Sequence, residues 1–310
     1  MIATVTLNPA LDKSVYIGSL HPNDANRITK IEVDAGGKGI NASRVLKELG
    51  SETTALGFLG GRTGRFIEHV LNTEGIPTDF VRIERETRTN ISVQETSGAP
   101  PTMLNEPGPP IAQDEFDELF AKVRGAARKS SMVIFGGSVP PGAPADVYRR
   151  LVTIVREAGA RAILDSDGEP MRLGIEAAPF MIKPNRDEVR RLIGVEVESV
   201  NDAARALKSL RELGIQLVVI SMGADGAVAG SDEGVWHAAP PQVKPVSTIG
   251  SGDSMVAGIA HILSSGGPLD EALRWGSAAG AATAMTNGAE ICKRPQVLDL
   301  LDKVRMERLG

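Results

Sequence analysis

The stretch that decides the fold and chemistry of this chain covers residues 247–258 and reads Ser247-Thr248-Ile249-Gly250-Ser251-Gly252-Asp253-Ser254-Met255-Val256-Ala257-Gly258. Its two glycines allow a tight turn whose N–H groups line one concave side, and the helix that begins near Asp253 adds its positive end there. Such a turn binds anions. A glycine turn capped by Asp253 is the simpler interpretation, since Asp is a favoured N-cap. Ser251 and Ser254 are also available as caps, however. In addition, a carboxylate beside an anion hole is electrostatically unfavourable unless it accepts a proton there.

Phosphoryl transfer requires both features of this stretch. A kinase needs fixed donors for the charge that builds up on the transferred group, and a base for the proton of the attacking hydroxyl. The chain contains no P-loop of the form Gly-x-x-x-x-Gly-Lys-Ser/Thr and no convincing dinucleotide fingerprint. The sequence therefore predicts a kinase in which Asp253 is the base and the nucleotide site is not a P-loop.

Composition and charge exclude several kinds of partner. The 310 residues suit one large α/β domain or a large domain carrying a small one. With 34 Lys and Arg against 39 Asp and Glu the net charge is -5, and 4% of residues are aromatic, so nucleic acid is not an expected partner. The lone Cys292 excludes an internal disulfide and fits a reducing compartment.

The hydrophobic pattern predicts neither a leader nor a membrane span. The first residues have no basic segment, and the longest apolar stretch, 278–285, is far shorter than the roughly 20 residues that a span requires. We therefore expect a cytoplasmic protein without membrane contact.

Short β-branched runs alternate with segments of helical period, which is typical of a mostly parallel sheet with helices on both faces. The predicted strands are 4–7, 53–59, 132–135, 162–165, 180–183 and 217–221, and the predicted helices are 40–49, 114–128, 145–158, 202–213 and 270–285. Two segments, 13–33 and 87–104, break this rhythm, and 90–94 alternates as a half-exposed antiparallel strand does. We expect them to form a small inserted sheet, used either as a lid or as a plain surface flap. Prolines then lead back to the core, at positions 100, 101, 107, 109 and 110.

A second glycine-rich segment leads from a predicted strand into a helix and reads Ala35-Gly36-Gly37-Lys38-Gly39-Ile40-Asn41-Ala42-Ser43-Arg44. The glycines permit close approach of a ligand, while Lys38 and the helix N-terminus attract negative charge and Asn41 offers a donor and an acceptor. A sugar phosphate suits this set. A glycine turn with an exposed lysine explains the segment equally well when it is taken alone.

Two further polar segments follow predicted strands at their carboxyl ends, where open α/β sheets bind ligands. In 183–188, Asn185 and Glu188 have the chemistry to organise the water shell of Mg²⁺, although a helix cap with a reciprocal box explains them better in isolation. Segment 221–226 contains two glycines on which a nucleotide can lie, and a β-turn is the alternative. Each segment has an alternative explanation when it is taken alone, so the prediction of a kinase site depends on the four segments together.

With these segments, the chain resembles the ribokinase-like carbohydrate kinases from end to end, specifically the phosphofructokinase B branch. Three more motifs carry the resemblance: Thr6-Leu7-Asn8-Pro9-Ala10-Leu11-Asp12, Thr87-Arg88-Thr89-Asn90 and Gly137-Ser138-Val139-Pro140-Pro141. The resemblance implies one kinase domain over 1–310, with a three-layer α/β core, a mostly parallel central sheet and a small inserted β-sheet lid. It also implies a homodimer that forms through the lid sheets.

The resemblance further implies ATP, Mg²⁺ and K⁺ as ligands and assigns roles to individual residues. Asp253 is the base, and the amides of Gly250, Ser251 and Gly252 form the anion hole. The sugar is held by Asp12, Gly37, Lys38, Asn41, Asn90 and Ser138, and its existing phosphate by Arg27 and Arg88. ATP contacts Lys183, Asn185, Ser221, Gly223 and Gly226, and Glu188 places Mg²⁺ through water. A loop for the monovalent cation contains Ser247, Ile249, Thr286, Gly288 and Glu290.

Some positions depart from the family pattern. The family usually has Asp at the position of Ser247, Ala at that of Ser251, and a small residue at that of Asp167. The Gly-Gly-Lys-Gly form resembles enzymes of tagatose 6-phosphate and fructose 1-phosphate, whereas the tail 286–292 is closer to the minor 6-phosphofructokinase. We predict fructose 6-phosphate as substrate, with tagatose 6-phosphate secondary. Fructose 1-phosphate is the alternative, and it is favoured by Ala25, where the 6-phosphofructokinases have a lysine.

Two other functions compete with this prediction. A kinase of an unphosphorylated sugar or nucleoside is disfavoured by Arg27, Lys38 and Arg88, because three cations around a neutral sugar are costly to bury. A non-catalytic sensor of sugar phosphates or nucleotides on the same fold is disfavoured by Asp253 and the full glycine turn.

Overall fold

β-Branched and apolar runs form most strands of this computed structural model, which describes residues 1–98 and 101–309. The strands are β1 (Ile2–Thr6), β2 (Ala10–Ile17), β3 (Lys30–Gly36), β4 (Thr53–Gly60), β5 (Val81–Ile83), β6 (Arg88–Glu95), β7 (Thr102–Asn105), β8 (Met132–Gly136), β9 (Arg161–Asp165), β10 (Met181–Ile182), β11 (Leu217–Ser221), β12 (Ala227–Ser231), β13 (Gly234–Ala239) and β14 (Arg305–Arg308).

The helices lie between these strands, and several begin directly after a strand. They are α1 (Lys38–Leu49), α2 (Gly61–Thr73), α3 (Gln113–Ala127), α4 (Val147–Glu157), α5 (Gly168–Ile175), α6 (Arg186–Ile193), α7 (Val200–Arg211), α8 (Ser251–Ser264), α9 (Leu269–Ala284) and α10 (Arg294–Leu301). Within the described residues, no helix combines the length and the apolar character needed to cross a lipid bilayer.

The larger sheet has the strand order β14-β13-β12-β11-β10-β9-β8-β1-β4-β5. The strands from β11 to β5 pair in parallel, whereas β12, β13 and β14 extend one edge in antiparallel pairing. The predicted, mostly parallel sheet is confirmed. Because parallel strands end at the same edge of a sheet, the residues that follow β1, β8, β9, β10 and β11 meet there.

Helices cover both faces of this sheet and make three layers. Buried residues of α3, α4 and α7 join a core on one face, and those of α1, α8, α9 and α10 join a core on the other. Helices α8 and α9 approach each other closely, since a side chain at Gly258 would lie 2.8 Å from the carbonyl of Trp275. This tight packing holds α8, which carries Asp253, at the carboxyl edge of the sheet.

The second sheet, which we call the lid sheet, has the order β3-β2-β6-β7. Strand β6 is antiparallel to β7 but parallel to β2. The antiparallel strand predicted at 90–94 is therefore correct for the pairing with β7 and wrong for the pairing with β2. The reason is that β2 and β6 each continue from the core in the same direction. The proline connection resumes at Pro101, and position 100 lies outside the described residues.

The lid sheet has one polar and one apolar face. Asp12, Asn90 and Asn105 are paired neighbours on the face towards the core. One residue along, Lys13 pairs with Val33 and Ile91 on the opposite face. There Ile31, Val33 and Leu104 are 50%, 41% and 55% exposed.

Candidate active site

At the start of α8, the backbone N–H groups of residues 250–253 lie around one turn, and we call this set the amide ring. Gly250 is the N-cap in a left-handed conformation (φ 76°), which favours glycine. The first helical bond runs from the Ser254 N–H to the Gly250 carbonyl (2.9 Å), and the Ser251 N–H reaches the Thr248 carbonyl at 3.3 Å. The amides of Gly252 and Asp253 belong to the first turn, which has no carbonyl for them within the helix. This geometry suits an anion.

Asp253 does not cap the helix on which it lies. Its Oδ2 accepts a hydrogen bond from Asn41 Nδ2 at 2.8 Å, and the cap position is Gly250. Asp253 is 8% exposed. Burial raises its pKa to about 6, with a further increase from Asp165, against the lowering effect of Lys38, Asn41 and Lys183. The carboxylate is therefore ionised at neutral pH and is a stronger base than an exposed aspartate.

A second buried carboxylate, Asp165 at the end of β9, lies between two lysines. Lys38 Nζ is 3.0 Å from its Oδ1 and Lys183 Nζ is 3.5 Å from its Oδ2. Burial alone would raise the pKa of Asp165, which is 3% exposed, but the two lysines lower it below its ordinary value. Lys183 Nζ also lies 3.3 Å from the position that a Cβ would take at Gly252, so this lysine adjoins the anion turn.

A cavity of about 280 Å³ lies between the lid sheet and the carboxyl edge of the larger sheet. Gly37 belongs to its wall with φ 120°, and a Cβ there would lie 2.7 Å from Thr6 Cγ2. The predicted site residues in the wall are Asp12, Gly37, Lys38, Asn41, Arg88, Asn90, Ser138, Ile249, Gly250 and Asp253. Arg27 is exposed on the connection between β2 and β3 and is not part of this wall.

Several polar atoms of the wall have no hydrogen-bond partner in the described part of the chain. They are the buried amide oxygens of Asn8, Asn41 and Asn90 and the Nε of Arg88. The Arg88 Nη atoms donate to the carbonyls of Glu106 (2.8 Å) and Asn8 (3.0 Å), which fix the orientation of the guanidinium group. Asn90 Nδ2 donates to Asp12 Oδ1 at 2.9 Å. The cavity thus offers acceptors for hydroxyl groups and one oriented cation.

The segments predicted to contact ATP come together beside this cavity. The Ser221 N–H donates to the Pro184 carbonyl (3.0 Å), and a bridge pairs Asn185 with Ser221. Gly223 and Gly226 form the turn that follows, with φ 63° and 87°. An open cleft of about 910 Å³ extends beyond this turn, along Arg186, Asp225, His237, Pro240 and Pro241.

Asn185 and Glu188 form the reciprocal helix cap. Asn185 Oδ1 accepts from the Glu188 N–H (2.9 Å), and Glu188 Oε2 accepts from the Asn185 N–H (2.7 Å). Burial raises the pKa of Glu188, although the Asn185 hydrogen bond opposes this. Both residues therefore have a structural role, and Glu188 Oε1 remains available to a ligand.

The five residues predicted for a monovalent cation occupy two adjoining loops. Ser247 Oγ donates to the Gly288 carbonyl (2.7 Å) and accepts from the Ile249 N–H (3.3 Å). Thr286 Oγ1 lies 2.6 Å from the Glu290 carbonyl.

Sequence reasoning missed some residues of the site. Asp165 is the most important of them, and its signal was available: it is a polar residue at the carboxyl end of a predicted strand, like Lys183. Cavity residues on the lid sheet were also missed, among them Ser14, Ser92, Met103 and Asn105. Asp167, where the family pattern is broken, lies at the surface as the N-cap of α5 and pairs with Arg191.

A three-layer core, a polar lid face and a buried carboxylate in the first turn of α8 are the features of a phosphotransferase of the ribokinase-like fold, with an alcohol group as acceptor. The chain belongs to the pfkB family carbohydrate kinases, whose family model matches residues 5–296. It is 37% identical to a 1-phosphofructokinase of Borreliella burgdorferi over 99% of this chain and 98% of the relative. It is 34% identical to the ATP-dependent 6-phosphofructokinase isozyme 2 of Mycobacterium tuberculosis, over 96% and 87% of the two chains.

Solved structures agree with this assignment. Phosphofructokinase-2 from Escherichia coli in complex with substrates and products is 30% identical, with a TM-score of 0.92 over 97% of this chain and 98% of that one. Other structures of that protein are described as a complex with potassium and as a tetrameric inhibited form. Arabidopsis thaliana ribokinase, 21% identical with a TM-score of 0.80 over 97% and 98% of the two chains, shares the fold.

Proposed function

We propose that this protein transfers the γ-phosphoryl group of ATP to a fructose monophosphate and so forms fructose 1,6-bisphosphate. One observation carries the proposal: the buried base Asp253 stands at an amide ring and faces a cavity with unpaired amide oxygens and an oriented arginine. The names of the two phosphofructokinase relatives support a fructose phosphate as acceptor.

In the proposed reaction, Asp253 takes the proton of the acceptor hydroxyl as its oxygen forms a bond to the γ-phosphorus. The bond from that phosphorus to the β-phosphate oxygen breaks, and ADP leaves. The amides of Gly250, Ser251 and Gly252 donate to the oxygens of the transferred group, for which the Ser251 N–H has to leave the Thr248 carbonyl that it reaches at 3.3 Å. Lys183 adds positive charge beside them.

The sugar is proposed to lie against the polar face of the lid sheet. Asp12 and the side chains of Asn41 and Asn90 accept hydrogen bonds from its hydroxyl groups, with Gly37, Lys38 and Ser138 around them. Arg88, whose Nε has no partner in the described part of the chain, binds the existing phosphate. Arg27 lies on an exposed connection, so its proposed role at the same phosphate requires movement of that connection or a second copy of the chain.

ATP is proposed to lie along Lys183, Asn185, Ser221, Gly223 and Gly226, with its nucleoside end towards the 910 Å³ cleft. No three acidic, His or Cys side chains of the described residues converge on one point. A Mg²⁺ held mainly by phosphates and water needs only one or two carboxylates, and Glu188 Oε1 fits that need. When bound, Mg²⁺ neutralises phosphate charge.

K⁺ is proposed to bind between the loops of Ser247, Ile249, Thr286, Gly288 and Glu290. Carbonyl and hydroxyl oxygens meet there, and each carbonyl that accepts one hydrogen bond keeps a second lone pair. Replacing KCl by tetramethylammonium chloride at constant ionic strength should lower kcat, and unchanged activity would remove this part of the proposal.

Two acceptors give the same bisphosphate. The sequence predicts fructose 6-phosphate, with tagatose 6-phosphate secondary, whereas the similarity to 1-phosphofructokinases and the presence of Ala25 favour fructose 1-phosphate as the second candidate. The case against an unphosphorylated sugar rests on the cost of burying cations beside it. Because Lys38 pairs with Asp165 and Arg27 is exposed, this case now depends mainly on Arg88.

The test is kcat/KM for all three sugars under one ATP and Mg²⁺ condition, with fructose and ribose as unphosphorylated controls. We expect turnover of at least one fructose monophosphate, at least tenfold above both controls. A preference above roughly tenfold, or about 1.4 kcal/mol, decides between the acceptors. If none of the sugars leads to consumption of ATP, the result would support the non-catalytic sensor instead.

We also propose a homodimer that buries the apolar faces of two lid sheets. Ile31, Val33 and Leu104 are too exposed for a face that stays in water. Leu104→Asp should shift the protein from dimer to monomer in light scattering. The matched control is Leu213→Asp, an equally apolar and 50% exposed position after α7, which should remain dimeric. A monomeric wild type at micromolar concentration would contradict this proposal.

A further inference from the structure

Asp165 lies where the two halves of the site meet. Lys38, which pairs with its Oδ1, belongs to the cavity proposed for the sugar. Lys183, which pairs with its Oδ2, adjoins Gly252 in the amide ring proposed for the transferred group. One buried carboxylate therefore holds one lysine from each half.

We propose that Asp165 is a positioning residue that aligns Lys38 and Lys183 on either side of the reacting atoms and keeps Lys38 away from Asp253. This inference rests on the proposed kinase activity. Asp165 contacts neither the hydroxyl nor the phosphoryl group in this scheme, and it acts through the two lysines.

The competition between carboxylates for Lys38 is the basis of the inference. Asp165, Asp253 and Glu188 all favour the charged form of Lys38, but the hydrogen bond goes to Asp165. An ammonium group is a compact charge on a flexible stem, so it turns to another carboxylate when its partner is lost. Without Asp165, Lys38 would turn to Asp253 and reduce its basicity.

The charged and hydrogen-bonding groups that face Asp253 come from several elements. Lys38 and the amide of Asn41 come from α1, Asp165 from the end of β9, and Lys183 from the segment after β10. Among them Asp165 is the anion. Its removal leaves two cations beside Asp253, so the base should ionise at lower pH and accept a proton less readily.

The first test compares Asp165→Asn with the matched control Asp167→Asn. Asp167 is a carboxylate two residues further on that pairs with Arg191 at the surface. For Asp165→Asn we expect kcat to fall by about tenfold to a thousandfold, and the acidic limb of the kcat/KM profile to move down by about one pH unit. Asp167→Asn should change neither. A structural role alone would lower activity without moving the limb.

The second test asks whether Asp165 acts through Lys38. If it does, the loss of kcat in the double variant Asp165→Asn/Lys38→Met should be smaller than the product of the two single losses, and the amount by which it exceeds the loss in Lys38→Met should be the part that acts through Lys183. Because the double variant removes the half-buried cation Lys38 together with the anion, it keeps the test available if Asp165→Asn folds poorly. Losses that multiply, or an acidic limb that does not move, would overturn the inference.

The failure of the proposed function can be told apart from the failure of this inference. A wild type that phosphorylates no fructose monophosphate overturns both. An active wild type with a normal Asp165→Asn variant overturns the role of Asp165 alone.

Discussion

The floor of the site and the lid sheet above it are built differently. On the floor, Asp253 and Asp165 are almost fully buried, and each has a hydrogen-bond or ion-pair partner from another element of the core. On the lid, Arg88 is held by backbone carbonyls and Arg27 is exposed. The difference supports the proposal that the residues of the floor carry out the chemistry within one chain, and that the lid sheet, whose outer face is exposed, binds the acceptor.

The comparison predicts a division of labour. Changes on the floor should lower kcat, because they remove interactions that strengthen in the transition state. Changes on the lid should raise KM for the sugar phosphate and leave KM for ATP nearly constant.

The largest effect is expected for Asp253→Asn. The variant keeps the shape of the side chain but cannot take the proton, so kcat should fall by about 10²–10⁴-fold while both substrates bind nearly normally. Steady-state kinetics and calorimetric binding measure the two effects. The matched control is Asp270→Asn, which removes a carboxylate from the first turn of α9, outside the site. Near-normal turnover of Asp253→Asn would remove the base from the mechanism.

Arg88→Ala should show the next largest effect. Loss of the guanidinium removes the oriented partner of the phosphate and should raise KM for the fructose phosphate by about tenfold to a hundredfold. KM for ATP should change by less than about twofold. Equal increases in KM for the sugar phosphate and for ATP would mean that the lid sheet does not bind the sugar phosphate selectively.

Arg27→Ala sharpens the same comparison. It should also raise KM for the sugar phosphate more than KM for ATP, but by less than Arg88→Ala, because Arg27 lies outside the cavity wall. If a second copy of the chain supplies Arg27, the effect should disappear in the Leu104→Asp monomer. An Arg27→Ala effect larger than that of Arg88→Ala would show that the cavity of a single chain is not the relevant one.

Much of the floor could be predicted from sequence because its signals are local. The parallel strands and the turn at 250–253 each lie within one short segment, and the structure has both. The pairing of Lys38 with Asp165 joins residues 127 positions apart, so it depends on the order of strands in the sheet. The antiparallel edge β12–β14 was not predicted either. Strand β14 pairs with a strand that lies far earlier in the chain, whereas β12 and β13 pair with the strands directly before them, and their local signal was missed.

Some helices were also missed, because packing in the folded chain and not the local sequence stabilises them. Helix α2 begins with Gly61 and has Gly64 in its first turn, which lowers its intrinsic helical preference. The buried residues Ile67 and Leu71 hold it against the core. Tertiary packing thus overrides a weak local signal.

The pKa of Asp253 predicts two smaller effects. Activity should decline below about pH 6 as the base is protonated. In addition, the folded state binds this proton more tightly than the unfolded state, so the contribution of Asp253 to stability falls as pH rises from about 4 to 6. The Tm of Asp253→Asn relative to wild type should therefore increase over that range, by a few degrees. A difference in Tm that stays constant with pH would mean that Asp253 has an ordinary pKa.

The most direct test of the account is ³¹P NMR of the wild-type protein with ATP, Mg²⁺ and a fructose monophosphate. The account predicts that the ATP signals are replaced by those of ADP and of one new phosphate ester, with both esters on the same fructose. The sample with Asp253→Asn should keep its ATP over the same time. Release of inorganic phosphate without a second sugar ester, or no change in the ATP signals of the wild type with any fructose monophosphate, would contradict the account.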